Sequence, residues 1–448
     1  MRPFLVMQNN TDTIFAPSTA IGGAITVIRV SGPDSRLIAS QLIHKPLKER
    51  MLTYASIVFN GDVLDESMAV LFLSPNSYTG EDMLELHCHG GLQTFRRVSD
   101  ALISLGVRPA EGGEFTKRAF LNGKMDLTQA EAVMDLINAQ AEVSLRSALY
   151  QLSGKMGEQI SSIENALLDV RSGIEALIDY PDEMNEQTSD ILFQLRSVSS
   201  SIENLLNRSR QGKYLREGIK AVILGRPNVG KSSVFNALIE DDKAIVTGKE
   251  GTTRDLIDET IEWGGVSIRL QDTAGIRDAE DEAEVIGIER ALDAASHADI
   301  LLLIIDSSQP LSEDDLSLIS RTVGIRRIII LNKTDLPSNP ETVQFCASLG
   351  SDMVQTSCLD LSGIKELKNK IVSVAEPEHL DATSVTNIRH IRSLEKALEC
   401  IRRVKPNLDL DCVATELREA SHFLGAITGS DIDEQLLDRI FENFCVGK

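Results

Sequence analysis

Between Gly225 and Ser232 the chain reads Gly-Arg-Pro-Asn-Val-Gly-Lys-Ser, a fit to G-x-x-x-x-G-K-[ST]. That spacing builds a phosphate cradle, because its glycines let backbone N–H groups approach phosphate oxygens closely. Asn228, Val229, Gly230, Lys231, Ser232 and Ser233 would line the phosphates. Lys231 would reach the β- and γ-phosphates, and Ser232 can ligate Mg2+. Three further strings follow in order. In Gly251-Thr252-Thr253-Arg254-Asp255, the Thr253 hydroxyl can complete the Mg2+ shell, in a loop that the γ-phosphate would hold and then release. In Asp272-Thr273-Ala274-Gly275, Asp272 is placed to hold the metal through water, and Gly275 leaves its N–H free for the γ-phosphate. In Asn332-Lys333-Thr334-Asp335, the carboxylate of Asp335 can accept both the ring N–H and the exocyclic amine of guanine. Adenine presents the opposite pattern there. Thr356-Ser357-Cys358, with Leu359, would close the base pocket from the far side. Each string alone is an ordinary turn sequence. Four in this order read as a guanine-nucleotide hydrolase.

One departure shapes the mechanism. Ras-type enzymes place a glutamine after the second-switch glycine to orient water; this chain has Ile276, which polarises nothing. Either hydrolysis is very slow or another group supplies the polarity. Asn228 could ligate a monovalent cation beside the phosphates, which would neutralise the charge developing between them. Glu284, in the acidic stretch Asp278–Glu284, could position water. On the residues alone, a solvated helix carboxylate is the simpler reading of Glu284.

The elements that must position these groups are legible as patterns. Ile219–Leu224, Ser267–Gln271, Ile300–Ile305 and Arg327–Leu331 are strand-like, and Ser233–Glu240 reads as a helix, so the phosphates would meet a helix N-terminus. This alternation predicts a doubly wound, mostly parallel α/β sheet over 218–375. Amphipathic stripes flank it: Ile160, Ile163, Leu167, Val170, Ile174 and Leu177, ended by Pro181, then Ile191, Leu195, Val198, Ile202 and Leu205. Downstream run Ile388, Ile391, Leu394, Leu398 and Ile401, then Leu436, Leu437, Ile440, Phe441 and Phe444. Helices on both sides predict one α-helical bundle, 123–217 and 376–448, interrupted by the inserted GTPase domain. The polar stretches Gln211–Glu217 and Glu376–Asn387 suit hinges. Ile25–Val30, Ala55–Phe59, Ala69–Leu73 and Leu84–His89 read as short strands of an α+β domain over 1–122. His87 and His89 alternate along one strand but lack a third ligand nearby in sequence, which argues against a metal site.

At 448 residues, two to three domains are expected. The six cysteines show no C-x-x-C spacing, which points away from zinc and disulfides and toward a reducing, cytoplasmic compartment. No apolar run has the length of a membrane helix, and no secretory signal is evident at the N-terminus. The net charge is −22, so any work on nucleic acid requires a local basic patch or a basic partner.

Further blocks carry a family resemblance: Ile28-Arg29-Val30-Ser31-Gly32-Pro33, Tyr78-Thr79-Gly80-Glu81-Asp82 running into Glu85-Leu86 and His89-Gly90-Gly91, Gly113–Lys124, and the terminal Phe444-Cys445-Val446-Gly447-Lys448. Nearly the whole chain resembles the MnmE (TrmE) family of tRNA modification GTPases, in the TrmE-Era-EngA-YihA-Septin-like superfamily. The resemblance implies modification of the wobble uridine (U34) of certain tRNAs at C5, by a carboxymethylaminomethyl or aminomethyl group, in a heterotetramer with the FAD-binding subunit MnmG (GidA). It also implies a homodimer formed through an N-terminal domain that binds 5-formyl- or methylene-tetrahydrofolate. Hydrolysis would be switched on by K+- and GTP-dependent pairing of G domains. By that resemblance Asn228, Thr247, Lys249 and Thr252 hold K+, Glu284 acts on water with Lys231 on the phosphates, and Thr273 and Ala274 complete the nucleotide site. Arg29, Glu85 and Lys124 match folate ligands with Lys448 near them, and Cys445 matches a functional cysteine. Two segments depart from the family pattern. Ser18-Thr19-Ala20-Ile21-Gly22-Gly23 lacks an arginine before its glycines, and Gly248-Lys249-Glu250 brings a positive side chain to the cation loop, which predicts weaker K+ dependence. A ribosome-assembly switch of the Era type would instead need a basic RNA-binding domain after the G domain; this chain carries Asp409, Asp411, Glu416 and Glu419 there.

Overall fold

Strands whose two faces are both covered need continuous apolar sequence, whereas half-covered strands alternate. Both kinds occur in this chain. The computed structural model describes residues 12–179, 188–209, 214, 218–240, 257–272, 289, 292–375, 383–405, 409–442 and 444–448. It divides into two compact units, one of Met1–Ile137, Tyr150–Glu203 and Arg392–Lys448, the other of Asn138–Leu149 and Asn204–Ile391.

In the first unit, β1 (Ile14–Pro17), β2 (Ile25–Ser31), β3 (Thr53–Phe59), β4 (Asp62–Phe72), β5 (Met83–His89) and β6 (Arg108–Pro109) form one sheet, ordered β3-β4-β5-β2-β1-β6. All pairs are antiparallel except β1 with β6. Alternation sets the faces. Leu84, Leu86 and Cys88 are buried with Ile28, Val30, Val98 and Leu102 beneath the helices Ser35–Leu42 and Leu92–Ser104. Arg29, Glu85 and His87 point the other way and are half-buried. β1 and β6 are too short to show a period, and β4 begins seven residues earlier than Ala69, because its first half is polar. The helices Lys155–Asp179 and Leu410–Thr428 pack lengthwise, so segments from both sides of the G domain share one bundle. Ile160, Leu167, Val170, Ile174 and Leu177 are buried as the stripe predicts. Two expected core positions are corrected: Ile388 is 42% exposed at the first residue of its helix, and Leu436 is 38% exposed. Adjacent helical residues point about 100° apart, and Leu437, Phe441 and Phe444 take the inward positions.

In the second unit, β7 (Ile219–Leu224), β8 (Ile257–Trp263), β9 (Val266–Asp272), β10 (Ile300–Asp306), β11 (Arg327–Asn332) and β12 (Asp352–Gln355) are ordered β12-β11-β10-β7-β9-β8. Only β8 runs antiparallel to its neighbour. Ala221, Ile223, Leu302, Ile304, Ile328 and Ile330 pack under the helices Lys231–Glu240 and Ile364–Val372. Val222, Leu301, Leu303, Ile329 and Leu331 pack under Glu313–Arg321 and Pro340–Ser348. The mostly parallel, doubly wound sheet is therefore present. The edge strand β8 reads as polar in sequence because Asp258, Glu259, Thr260 and Glu262 interrupt it, and among its described side chains Ile261 and Trp263 supply the buried face.

Candidate functional site

The nucleotide groups gather at the carboxyl ends of β7, β10 and β11, where a doubly wound sheet opens its crevice. The loop between β7 and the helix Lys231–Glu240 needs unusual backbone. Asn228 has φ 65° and Gly230 φ 99°. A Cβ at Gly225 would lie 2.6 Å from the Ile304 carbonyl oxygen, and one at Gly230 would run into Asn332 Nδ2. Glycine is required at both places by close backbone approach. Lys231 Nζ donates to the carbonyls of Gly225 (2.8 Å) and Arg226 (3.0 Å), so its ammonium lies over the loop. Ser232 and Ser233 are exposed at the helix start.

The base-reading end is tied to this loop by two adjacent residues. Buried Asn332 donates through Nδ2 to the Val229 carbonyl (2.9 Å), and Lys333 Nζ donates to the Asn228 carbonyl (2.9 Å). Lys333, at φ 65°, also pairs with Asp306 Oδ2 at 2.7 Å. Asp306 closes β10, and its other oxygen accepts from Ser308 N (3.0 Å) and Ser308 Oγ (2.7 Å). Burial alone would raise the Asp306 carboxyl, but Lys333 and Ser308 outweigh it and hold it below the usual carboxylate range. Asp306 was not singled out from the sequence; Asp-Ser-Ser after a buried strand is the signal that could have found it. Asp335 stands exposed at the pocket mouth, and buried Ser357 donates to its Oδ1 (2.9 Å) while accepting from Leu359 N (3.2 Å). Thr356 Oγ1 holds Asn332 Oδ1 at 3.2 Å. Burial, then the charge of Asp335, pushes the Cys358 thiol up, so Cys358 is a neutral wall of this pocket. The Leu359 side chain is 84% exposed, which leaves its backbone as the part that faces the base loop. Asp272 ends β9 as expected. Thr247, Lys249, Thr252, Thr253, Thr273, Ala274, Gly275 and Glu284 lie outside the described residues.

A second polar group occupies the face of the N-terminal sheet opposite the helices Ser35–Leu42 and Leu92–Ser104. Arg29 and Glu85 are cross-strand partners, and Arg29 Nε (3.0 Å) and Nη2 (2.8 Å) both donate to Glu85 Oε1. Oε2 lies 3.7 Å from His87 Nε2, beyond hydrogen-bond length. Burial would raise the Glu85 carboxyl, but His87 and Arg29 hold it below the usual range. The Tyr78 ring lies 5.1 Å and the Phe115 ring 5.8 Å from the Arg29 guanidinium. Lys124 Nζ donates to the Pro75 carbonyl at 2.9 Å, and its stem borders Gly80. The terminal segment reaches the same region. Val446 bridges Gly112, Gly113 N donates to the Cys445 carbonyl (3.3 Å), and a Cβ at Gly447 would strike the Pro17 carbonyl. Cys445 is exposed rather than buried. Lys448 follows at the end of β1, beside the strand pair that carries Arg29. His89 is held by Asp65 (Nδ1 to Oδ1 2.8 Å) and His87 faces Glu85, so the two histidines have separate carboxylate neighbours; among the described residues neither belongs to a three-ligand cluster.

Comparisons with known proteins identify the family. The MnmE helical domain model matches residues 127–445, and the model of the GTP-binding protein TrmE N-terminus matches residues 13–124. The chain belongs to the MnmE family. The proteins named tRNA modification GTPase MnmE from Lactiplantibacillus plantarum and Geobacillus thermodenitrificans are each 42% identical, the first over 98% of both chains, the second over 98% of this chain and 99% of its own. The Streptococcus thermophilus protein of that name is 40% identical over 98% of both. Among solved structures, the G domain of the T. maritima FeoB iron transporter is 28% identical, covering 35% of this chain and 98% of that one, with a TM-score of 0.27. Family membership makes this chain a GTPase by fold and by motif. The donor chemistry present fits the groups that the MnmE family implies. Ser232 offers a hydroxyl to a hard cation, and Asn228 offers an exposed amide beside the phosphate loop. Glu85 Oε2, free of Arg29, can accept from a pterin N–H. No helix among the described residues is long and apolar enough to cross a membrane.

Proposed function

We propose that this chain hydrolyses GTP to drive C5 modification of U34 in certain tRNAs, in the cytoplasm, as a homodimer working with the FAD-dependent subunit MnmG. In this reading residues 1–122 dimerise and bind the folate, 218–375 bind GTP, and 123–217 with 376–448 form the bundle that bears Cys445. The observation that supports it most directly is the double tie between base-reading and phosphate-reading parts, Asn332 to Val229 and Lys333 to Asn228. It makes one rigid pocket for a guanine nucleotide, with Asp335 preset by Ser357.

The chain's own groups divide the work. Asp335 selects guanine, and a site built to pair both N–H groups rejects bases that cannot offer them. Lys231 and the loop N–H groups bind the β- and γ-phosphates, and Ser232 with Thr253 would hold Mg2+, which supplies charge neutralisation at the phosphates. Asn228 with Thr247, Lys249 and Thr252 would hold K+. Glu284 orients the attacking water, the task that Ile276 cannot perform. On the other unit, Arg29, Glu85, Lys124 and Lys448 would hold the tetrahydrofolate. Cys445, exposed on the tail beside that face, would be the functional cysteine that the family resemblance implies.

The test is mass spectrometry of tRNA nucleosides from a strain lacking this gene, complemented by wild type or Glu85→Gln. Loss of C5-modified wobble uridine, restored by wild type and not by the variant, is expected. Normal wobble uridine in the deletion strain defeats the reading.

A further inference from the structure

We propose that the loop between the helix Ser35–Leu42 and β3, together with the outer edge of β3, is the surface on which this chain docks single-stranded RNA. The inference rests on the tRNA reading above and adds where the polyanion sits. The chain is strongly acidic, yet residues 35–50 carry four Lys or Arg side chains against one acid, Glu49. His44, Lys45, Pro46, Lys48 and Arg50 are all exposed, and Lys48 and Arg50 make no ion pair among the described residues. Arg36 stands 56% exposed on the same flank, its Nε 3.0 Å from Asp82.

Arg36, His44 and Lys45, with Glu49, line a cavity of about 570 Å³ together with the apolar Ile43, Leu47, Leu71 and Leu73, while Lys48 and Arg50 flank Glu49 in the same loop. That volume is in the range of sites that take a small organic group. Beside it an aromatic platform is held ready. Tyr54 on the edge strand β3 is 55% exposed, its hydroxyl is anchored on Glu66, and Lys45 reaches its ring at 5.8 Å while donating to its carbonyl at 3.2 Å. Exposed Met51 and Leu52 extend the platform. Cations spaced along a loop, an aromatic face and an apolar recess are what an unstacked nucleotide strand requires: phosphates on the cations, bases stacked or inserted. A lysine on an exposed strand edge also guards against edge pairing. That role needs one charge; it explains neither the cavity nor the unpaired Lys48 and Arg50.

The experiment uses the full chain and an unmodified tRNA transcript, with affinity measured between 50 and 200 mM salt. Lys45→Gln with Lys48→Gln and Arg50→Gln should weaken binding at least about tenfold at low salt and lower the log–log salt slope by about 2, since each phosphate contact contributes about 0.7 to 0.9. GTP hydrolysis and the thermal midpoint should not change. Tyr54→Ala should weaken binding without changing the slope, because stacking is not ionic. Should the triple variant unfold, Lys48→Glu alone gives the same reading, with a slope lower by about 1. An unchanged slope and affinity overturn the proposal. So does loss of MnmG binding with tRNA binding intact, which would make this a protein interface. If the wild-type chain binds no tRNA, the proposal falls together with direct tRNA handling; if wild type and variant bind equally, only the proposal falls.

Discussion

At the scale of single residues, the pocket depends on charges held where their partners need them. Lys333 Nζ is shared between the Asn228 carbonyl and the Asp306 carboxylate, so Asp306 steadies the ammonium that grips the phosphate loop. Asp306→Asn should speed GDP release at least about tenfold, because truncating one member of a mostly buried pair acts on dissociation; stopped-flow displacement of a fluorescent GDP measures it. The same substitution has a pH signature. The Asp306 carboxyl is held below its ordinary value in the fold, so its stabilisation is complete above that value and is lost as pH falls through the folded one. The variant's deficit in thermal midpoint should be largest at neutral pH and should shrink below about pH 4. An equal deficit at both ends would mean that Asp306 acts by shape alone. Glu284→Ala should leave GTP affinity nearly intact and lower kcat by about 10²-fold or more, the scale of a positioned catalytic group. Unchanged turnover would return Glu284 to the role of a solvated helix carboxylate.

At the scale of elements, caps and close approaches place the site. Ser312 and Asp315 form a reciprocal capping box, and Asn339 caps Glu341 and Thr342 with Pro340 at the first helical position, so the two helices on one sheet face start at defined residues. Gly363, at φ 75°, opens the helix Ile364–Val372 and lets the Ser357 loop return over β12. In the bundle, Gly425 admits Ser430 and Glu164 where Lys155–Asp179 meets Leu410–Thr428. Burial and the nearby charge of Asp431 raise the Glu164 carboxyl, while Ser430 pulls the other way; His422 pairs with Asp431 at 2.8 Å. A raised carboxyl contributes its stability below the ordinary glutamate value and loses it as pH rises through the folded one. Glu164→Gln should therefore raise the thermal midpoint at pH 7 and leave it nearly unchanged near pH 4. A lower midpoint at pH 7 would show that the ionised form is the stabilising one.

At the scale of the whole molecule, the P-loop groups and the Arg29–Glu85 face stand on separate compact units. On the proposed reading, hydrolysis in the full-length protein should be faster in K+ than in Na+, because the cation would complete the pairing of the two G domains within the homodimer. Equally brisk turnover in Na+ would remove the need for the cation.

The sequence by itself determined the family, the order of the pieces and the doubly wound sheet that one of them builds. Glycine spacing, carboxylate type and 3.6-residue stripes are local properties and survive without coordinates. Arg29 with Glu85 was legible only as a resemblance, since 56 residues separate them and only the β2–β5 register makes them neighbours. Asp306 offered only the faint signal of Asp-Ser-Ser after a buried strand, and the Tyr54–Lys45 edge offered none. Their meaning comes from what stands beside them on adjacent strands and loops, and such non-local pairing has no period in the chain. Tertiary structure alone also decided that Cys445 is exposed and that its tail lies against Pro17 and Gly112, because a terminal segment of five residues has too few side chains to encode its own docking site.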